Sequence, residues 1–369
     1  MAITQDSSSE MRIFFWFFML VSIVCADYFD ILRQEFEQTP TGKVRRFFIT
    51  AEEEIWDYAS ESQNPVSGNK RDKSVQLMLN SVNRLRIDVH SLGTRYYKAI
   101  YHEYQDETYT ERKVRPHWQG NMGPILRAEV GDIIQIFFWN KASRNFTIHP
   151  HGVFYEFEME GAIFKGSFEE GIVKPNHNYT YTWNVLPRAG PGPKDGNSIV
   201  WGYHSHVTEA DLFAGLYGAI VVYKPGTLSN DDIVTSVFVA DENQSPYFDR
   251  TLSTLDTDIE TLRQNVTEFY AANQFPSING LISSSPKDLI IKPGTTWHLI
   301  GWGTYWDMQK MYWQDSQVKL NGESVDHVRI MPASFHSLVV TPNNHANQSH
   351  IFGTFESYDQ EMSMSFTNA

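Results

Sequence analysis

Short apolar or alternating runs recur along this chain, while helical periodicity is scarce. Alternation at every second residue marks a strand with one face toward a core. The pattern predicts strands at Val44 to Thr50, Ile125 to Val130, Ile133 to Trp139, Tyr179 to Val185 and Leu216 to Tyr223. It predicts further strands at Val234 to Ala240, Leu289 to Lys292, Trp297 to Gly301, Val328 to Met331 and Ser337 to Thr341. Turn residues such as Lys174-Pro175-Asn176 and Lys292-Pro293-Gly294 separate them. Many short strands with turns between them imply an all-β sandwich or barrel. The polar stretch Asp249 to Asn273 is expected to be one helix or a long loop. Lys224-Pro225-Gly226 stops an apolar strand and marks a boundary, giving expected domains at 43–224 and 232–369.

The candidate chemistry lies in the first of these segments. His149-Pro150-His151-Gly152 is followed about fifty residues later by His204-Ser205-His206. On a strand, residues two apart share a face, so each His-x-His is expected to set two imidazoles side by side. Two such strands brought together would give four convergent nitrogens, and imidazole is a favoured ligand of copper and zinc.

Charge and cysteine content narrow the picture. The formal net charge of −14 argues against nucleic acid or an anionic membrane as partner. Met11-Arg12, the apolar run Ile13 to Val24 and Ala26 read as a secretory signal peptide over 1–26, with 1–10 a non-native leader if translation starts at Met11. The run is too short to span a bilayer comfortably. The only cysteine, Cys25, lies within that signal, so the mature protein is expected to lack thiols. Glycosylation sequons at Asn145, Asn178, Asn265 and Asn347, with a poorer one at Asn243, fit a secreted glycoprotein.

An ordered set of motifs adds a family resemblance. It runs from Phe48-Ile49-Thr50-Ala51-Glu52-Glu53-Glu54-Ile55-Trp56-Asp57-Tyr58 through Gly123-Pro124-Ile125-Leu126-Arg127-Ala128-Glu129-Val130-Gly131-Asp132. The two histidine motifs, Glu160-Gly161-Ala162, Asp195-Gly196-Asn197 and Ala214-Gly215-Leu216-Tyr217-Gly218 continue it, followed by Asp241-Glu242-Asn243 and Ser277-Ile278-Asn279-Gly280. The chain thereby resembles the multicopper oxidases, of the ceruloplasmin, hephaestin and clotting-factor V and VIII type. The resemblance implies two cupredoxin-like Greek-key β-barrels and copper as cofactor. It also implies that His149 binds type 2 copper, while His151, His204 and His206 bind the paired type 3 coppers.

The second segment departs from that pattern. Trp306 to Trp313 carries no histidine, and Ile351 to Tyr358 carries neither histidine nor cysteine. A type 1 blue-copper centre requires a thiolate, so none is expected here, and four of the family's eight cluster ligands are missing. The leading expectation is a secreted, copper-dependent oxidoreductase with dioxygen as acceptor, resembling ferroxidases. A second copy of the chain, or another cupredoxin chain, would complete the cluster. The rival is a non-catalytic copper-binding or interaction module, and a third reading puts zinc at the half-site. No catalytic residue beyond the metal ligands is assigned.

Other signals read as structural. His90, His102, His117, His177, His298, His327 and His336 are expected to be ordinary surface or core residues, and His345 and His350 to lie in a polar turn. Glu52-Glu53-Glu54 reads as a solvated strand end. Trp302, Tyr305, Trp306, Tyr312 and Trp313 read as core or barrel-rim packing, and Met362 and Met364 as core.

Overall fold

The computed structural model describes residues 42–59, 93–163, 171–254, 266–303, 308–343, 348–355 and 361–369. The signal segment, Cys25, His90, Tyr305, Trp306, His345 and the sequons at Asn265 and Asn347 lie outside the described residues.

The first eight strands are β1 (Val44–Asp57), β2 (Arg95–Tyr104), β3 (Ile125–Glu129), β4 (Ile133–Asn140), β5 (His149–Pro150), β6 (Asn178–Asn184), β7 (Ser198–His204) and β8 (Tyr217–Tyr223). They form two four-stranded sheets, ordered β2-β1-β4-β6 and β3-β8-β7-β5. The next eight are β9 (Ile233–Asp241), β10 (Gln274–Ile278), β11 (Ser283–Ser284), β12 (Ile290–Ile291), β13 (Thr295–Gly301), β14 (Gln309–Trp313), β15 (Ser316–Leu320) and β16 (Glu323–Val325). The last four are β17 (Val328–Ile330), β18 (Phe335–Pro342), β19 (Gln348–Phe355) and β20 (Glu361–Asn368). These twelve build the sheets β10-β9-β13-β18-β15-β16 and β11-β20-β19-β14-β17, with β12 beside β20.

Burial explains why the runs look as they do. In β4 the pattern alternates without a break, with Ile134, Ile136 and Phe138 inside and Ile133, Gln135 and Phe137 less buried. All seven residues of β8 are buried instead. Ile220 and Val222 join a core with Leu126, Ile136 and Tyr203. Tyr217, Ala219, Val221 and Tyr223 join a second core with Val234, Phe238 and Trp297. One strand therefore serves as a wall of two cores, and a strand buried on both faces must be apolar throughout. The same reason accounts for β9, which is also buried along its whole length.

All ten predicted runs are strands. Among those the pattern missed is β2, where Arg95-Tyr96-Tyr97-Lys98 mixes charge with aromatics yet Tyr96, Lys98 and Tyr101 are fully buried. Within the expected helix or loop at Asp249 to Asn273, the described residues hold the short helices Phe248–Leu252 and Val266–Ala272. The acidic triplet corrects a further expectation. Glu52, Glu53 and Glu54 lie inside β1, not at a solvated strand end, and pair with Arg112, Arg250 and His102 respectively. Burial alone raises the Glu52 carboxyl, but hydrogen bonds from Tyr104, Thr50 and Arg112 outweigh it and hold the group at about 2.

The least expected buried group is Lys98. Its ammonium is wholly enclosed, donates to the Phe213 carbonyl at 2.6 Å, and pairs with the equally buried Glu242. Tyr58 donates to the same carboxylate at 2.5 Å. Burial pulls Lys98 down and pushes Glu242 up, each opposed by the partner's charge. Replacing one member strands the other charge, so Glu242→Leu should cost about 3–5 kcal/mol in denaturant titration, while Lys98→Met/Glu242→Leu recovers most of that loss. A double variant as unstable as the single one would refute this account.

His298 gives a second prediction. It is fully buried, hydrogen-bonded to Ser337 at 2.8 Å and Ser198 at 3.2 Å, and burial and then Arg127 depress it to about 3. Below pH ~6.5 the unfolded chain takes up a proton that folded His298 refuses. Stability should therefore fall as pH drops from ~6.5 toward ~3, by up to about 1.4 kcal/mol per pH unit from this residue. His298→Gln should flatten that slope in melts taken across the range.

Candidate metal centre

The site is built where two strands of one sheet end. β5 and β7 pair antiparallel, with His149 directly opposite His204 and Pro150 opposite Tyr203. His149 stands on β5 but His151 lies just beyond it, and His204 ends β7 with His206 past it. This corrects the expectation of two strand-borne pairs. Register and the following turns, not the two-residue strand period, bring the rings together. His151 is tied by its N–H to the Gly202 carbonyl at 2.9 Å, and His206 by its N–H to the Thr147 hydroxyl at 2.8 Å. Gly152 has φ +77°, and a Cβ there would meet the Trp201 ring at 2.1 Å. Only glycine lets the chain turn away immediately after His151.

All four predicted residues converge. Ring centroids stand 5.2 Å apart for His149–His151, 5.1 Å for His149–His206, 5.2 Å for His151–His204, 5.3 Å for His204–His206 and 5.6 Å for His149–His204. Two imidazoles sharing one ion through bonds of ~2.0 Å have ring centres roughly 5 Å apart, so neighbouring rings here are spaced to share ions in pairs. Among the described residues, no three His, Cys, Asp or Glu side chains close on one point as a complete cage would. The arrangement is an open set of pairs, unlike the closed four-ligand shell of structural zinc.

The nitrogens are in the right state to ligate. His149 Nδ1 lies 2.7 Å from the Glu160 carbonyl, and His204 Nδ1 lies 2.8 Å from the Ser205 carbonyl. A carbonyl only accepts, so Nδ1 carries the proton and Nε2 keeps its lone pair. Burial is the first cause of depressed proton affinity in His149, in His151 at about 4 and in His204 at about 3, with neighbouring histidines adding to it. These three rings are neutral donors at physiological pH.

Several supports were not visible in the motifs. Asp211, almost fully buried at the start of a short helix, accepts from the Ser205 hydroxyl at 2.6 Å, from the Val207 N–H at 3.0 Å and from the Thr208 hydroxyl at 3.0 Å. Ser205 Oγ in turn accepts from the Thr147 N–H at 3.0 Å. The one signal in sequence was a Thr-x-x-Asp spacing just after the second histidine pair. Trp302 and Phe335, from the second set of sheets, lie against the cluster, with centroids 5.5 Å from His204 and 5.7 Å from His151. The absence of a side chain at Gly202 makes room for Trp302, since a Cβ there would meet that indole at 2.4 Å. Trp302 thus packs at a rim, as its sequence context suggested, but the rim is that of the histidine cluster. Its indole N–H is buried without an acceptor among the described residues.

The other flagged residues fall elsewhere. His298 is core and His102 pairs with Glu54, while His350 lies on β19 rather than in the expected polar turn, its Nδ1 2.8 Å from the Ser365 hydroxyl in a shared hydrogen bond. Met362 and Met364 are fully buried core residues. Asn145 and Asn178 are exposed, while the Asn243 amide donates to Asp241 and to the Tyr270 carbonyl.

Residues 98–227, which include all four histidines, match the family model described as multicopper oxidase. The chain carries a multicopper oxidase domain. It is 34% identical over 339 residues to hephaestin of Homo sapiens, covering 87% of this chain and 28% of that protein. Against ferroxidase HEPHL1 of Homo sapiens it is 34% identical over 311 residues, covering 79% of this chain and 26% of the relative. Ceruloplasmin of Homo sapiens is 29% identical over 318 residues, with 82% and 29% covered. The chain therefore spans little more than a quarter of these relatives. The multicopper oxidase mgLAC superposes with TM-score 0.52 at 13% identity, covering 89% of this chain and 86% of that one. A laccase from Botrytis aclada gives TM-score 0.52 at 15% identity, over 89% and 54%. These structures confirm the all-β, cupredoxin-like fold. Copper is the cofactor of the multicopper oxidase family.

The support network is open to test. Asp211→Ala leaves several donors without an acceptor and should lower stability by about 2 kcal/mol. It should also weaken copper uptake in competitive titration, because the His204–His206 turn loses its anchor. Retained affinity in a folded variant would show that Asp211 does not position the rings.

Proposed function

We propose that His149, His151, His204 and His206 hold copper as one half of an oxygen-reducing centre, and that the protein is a copper-dependent oxidoreductase of the ferroxidase type. The observation that carries this is the spacing of four imidazoles, three of them held neutral by burial, at the ends of β5 and β7. Bound copper would supply one-electron redox chemistry and an oxygen-binding position. The chain's own residues do the rest. The Glu160 and Ser205 carbonyls fix the protonation of His149 and His204, and Asp211 holds the second turn. Trp302 and Phe335 exclude water from one side, and the Trp302 N–H is available to donate to oxygen.

The same reading divides the chain at 43–224 and 232–369, supported by the fact that no sheet mixes described strands of the two segments. It makes the protein secreted through its 1–26 segment and glycosylated at exposed Asn145 and Asn178. Among the described residues no helix is long and apolar enough to cross a membrane. The missing ligands would come from a second copy or another cupredoxin chain.

A second reading, a non-catalytic copper-binding module, is favoured by one observation. The chain's own second segment meets the cluster with Trp302 and Phe335, and neither side chain can ligate copper. Copper-loaded protein should give a paramagnetic signal of type 2 character without intense blue absorption, and His149→Ala/His204→Ala should abolish it. Oxygen uptake with ferrous iron decides between the readings: turnover lost in that variant supports the oxidase, and copper bound without turnover supports the module. Protein that takes up no copper would overturn both.

A further inference from the structure

A cleft of about 720 Å³ opens on the first set of sheets, and none of the four clustered histidines lines it. Four cationic side chains face it: Arg112, Lys113, Arg115 and Arg127. Three of them are already neutralised. Arg112 pairs with Glu52, Lys113 with Glu103 at 2.5 Å, and Arg127 with Asp232 at 3.4 Å and the Ser229 carbonyl at 3.0 Å. Arg115 differs. Among the described residues its one hydrogen bond is a long contact of 3.4 Å to the Met122 carbonyl, and no carboxylate comes within ion-pair distance. Glu54, the acid that most influences it, is occupied by His102 at 3.1 Å. Arg115 is half-buried, and that burial makes its charge costly enough to lower its proton affinity.

An under-partnered guanidinium in a partly desolvated cleft lowers stability unless something else is gained by keeping it. We propose that Arg115 is the anion-binding group of a small-molecule site whose ligand is an organic monocarboxylate with an apolar body. The size is that of small-molecule pockets, roughly 300–1,000 Å³. A planar guanidinium with free donors matches a carboxylate through two parallel hydrogen bonds. Phe47, Trp118 and Ile125 supply apolar lining for a ring or hydrocarbon. Glu54 and Glu103 also face the space, so a doubly charged anion such as phosphate would meet repulsion, with Arg115 the one cation of the cleft unpaired among the described residues.

The site is tested by calorimetric titration of the whole chain with benzoate, benzamide and inorganic phosphate. Benzoate should bind in the millimolar range or tighter, with benzamide and phosphate each weaker by about tenfold or more. Arg115→Gln should weaken benzoate about tenfold and leave the melting temperature unchanged or raised, since it removes an unpaired charge. Arg115→Lys, which keeps the charge but not the fork, should weaken benzoate several-fold and serves as the test if Arg115→Gln does not fold. Benzoate binding that is absent, matched by benzamide or phosphate, or indifferent to the folded variant would overturn the proposal. Copper uptake by the histidine cluster should be the same in these variants, so the outcome is read separately from that of the copper site.

Discussion

A ladder of two residue pairs, His149 opposite His204 and Pro150 opposite Tyr203, decides where every ring of the cluster stands. A slip of one residue would carry one histidine pair to the other face of the sheet. So short a ladder, with a proline in it, holds its register weakly by itself. Side chains supply what the backbone lacks. Tyr203 donates to the Pro124 carbonyl at 2.8 Å, locking β7 to the approach of β3. Thr147 donates its N–H to Ser205 Oγ and accepts the His206 N–H at its hydroxyl, while Ser205 Oγ donates to Asp211. The precision of the site is thus carried by a buried polar hub that touches none of the proposed ions.

That hub rests on a larger constraint, the sharing of β8 between two cores. Because Tyr217 and Val221 face one core while Ile220 and Val222 face the other, the second set of sheets cannot shift without exposing a wall of the first. The buried Lys98–Glu242 pair sharpens this arrangement. Such a pair adds little net stability, but losing either partner is severe, so it penalises misplacement of β9's end against β2. Seated in that way, Trp302 reaches the histidines through the gap left at Gly202.

Sequence carried much of this because the informative residues obey local rules. The alternation of Ile134, Ile136 and Phe138 and the unbroken run of β8 are visible without coordinates, and so are four histidines in two motifs. What escaped is non-local. β2 hides its strand character because Lys98 is buried by a partner 144 residues away, at Glu242, which no window of sequence contains. Glu52, Glu53 and Glu54 look solvated until Arg112, Arg250 and His102 are folded against them. Trp302 could be read as packing, but not as packing against imidazoles. The His-x-His motifs named four residues whose rings do gather, through a strand-face argument that the structure replaces with register and turns.

The chemistry of the cluster follows from which of its sides offer donors. His149 and His204 hold their Nδ1 protons against carbonyls, so each has a single nitrogen to give. Spacing near 5 Å lets adjacent rings share an ion in pairs, and two imidazoles leave a copper ion coordinatively unsaturated. The side covered by Trp302 and Phe335 contributes an indole N–H, which donates hydrogen bonds but carries no lone pair for a metal. Under the proposed copper assignment, completion must therefore come from water, from oxygen or from side chains beyond these sheets. A centre left open in this way binds exchangeable ligands readily. Under the same assignment, turnover would require a second surface that brings electrons to it.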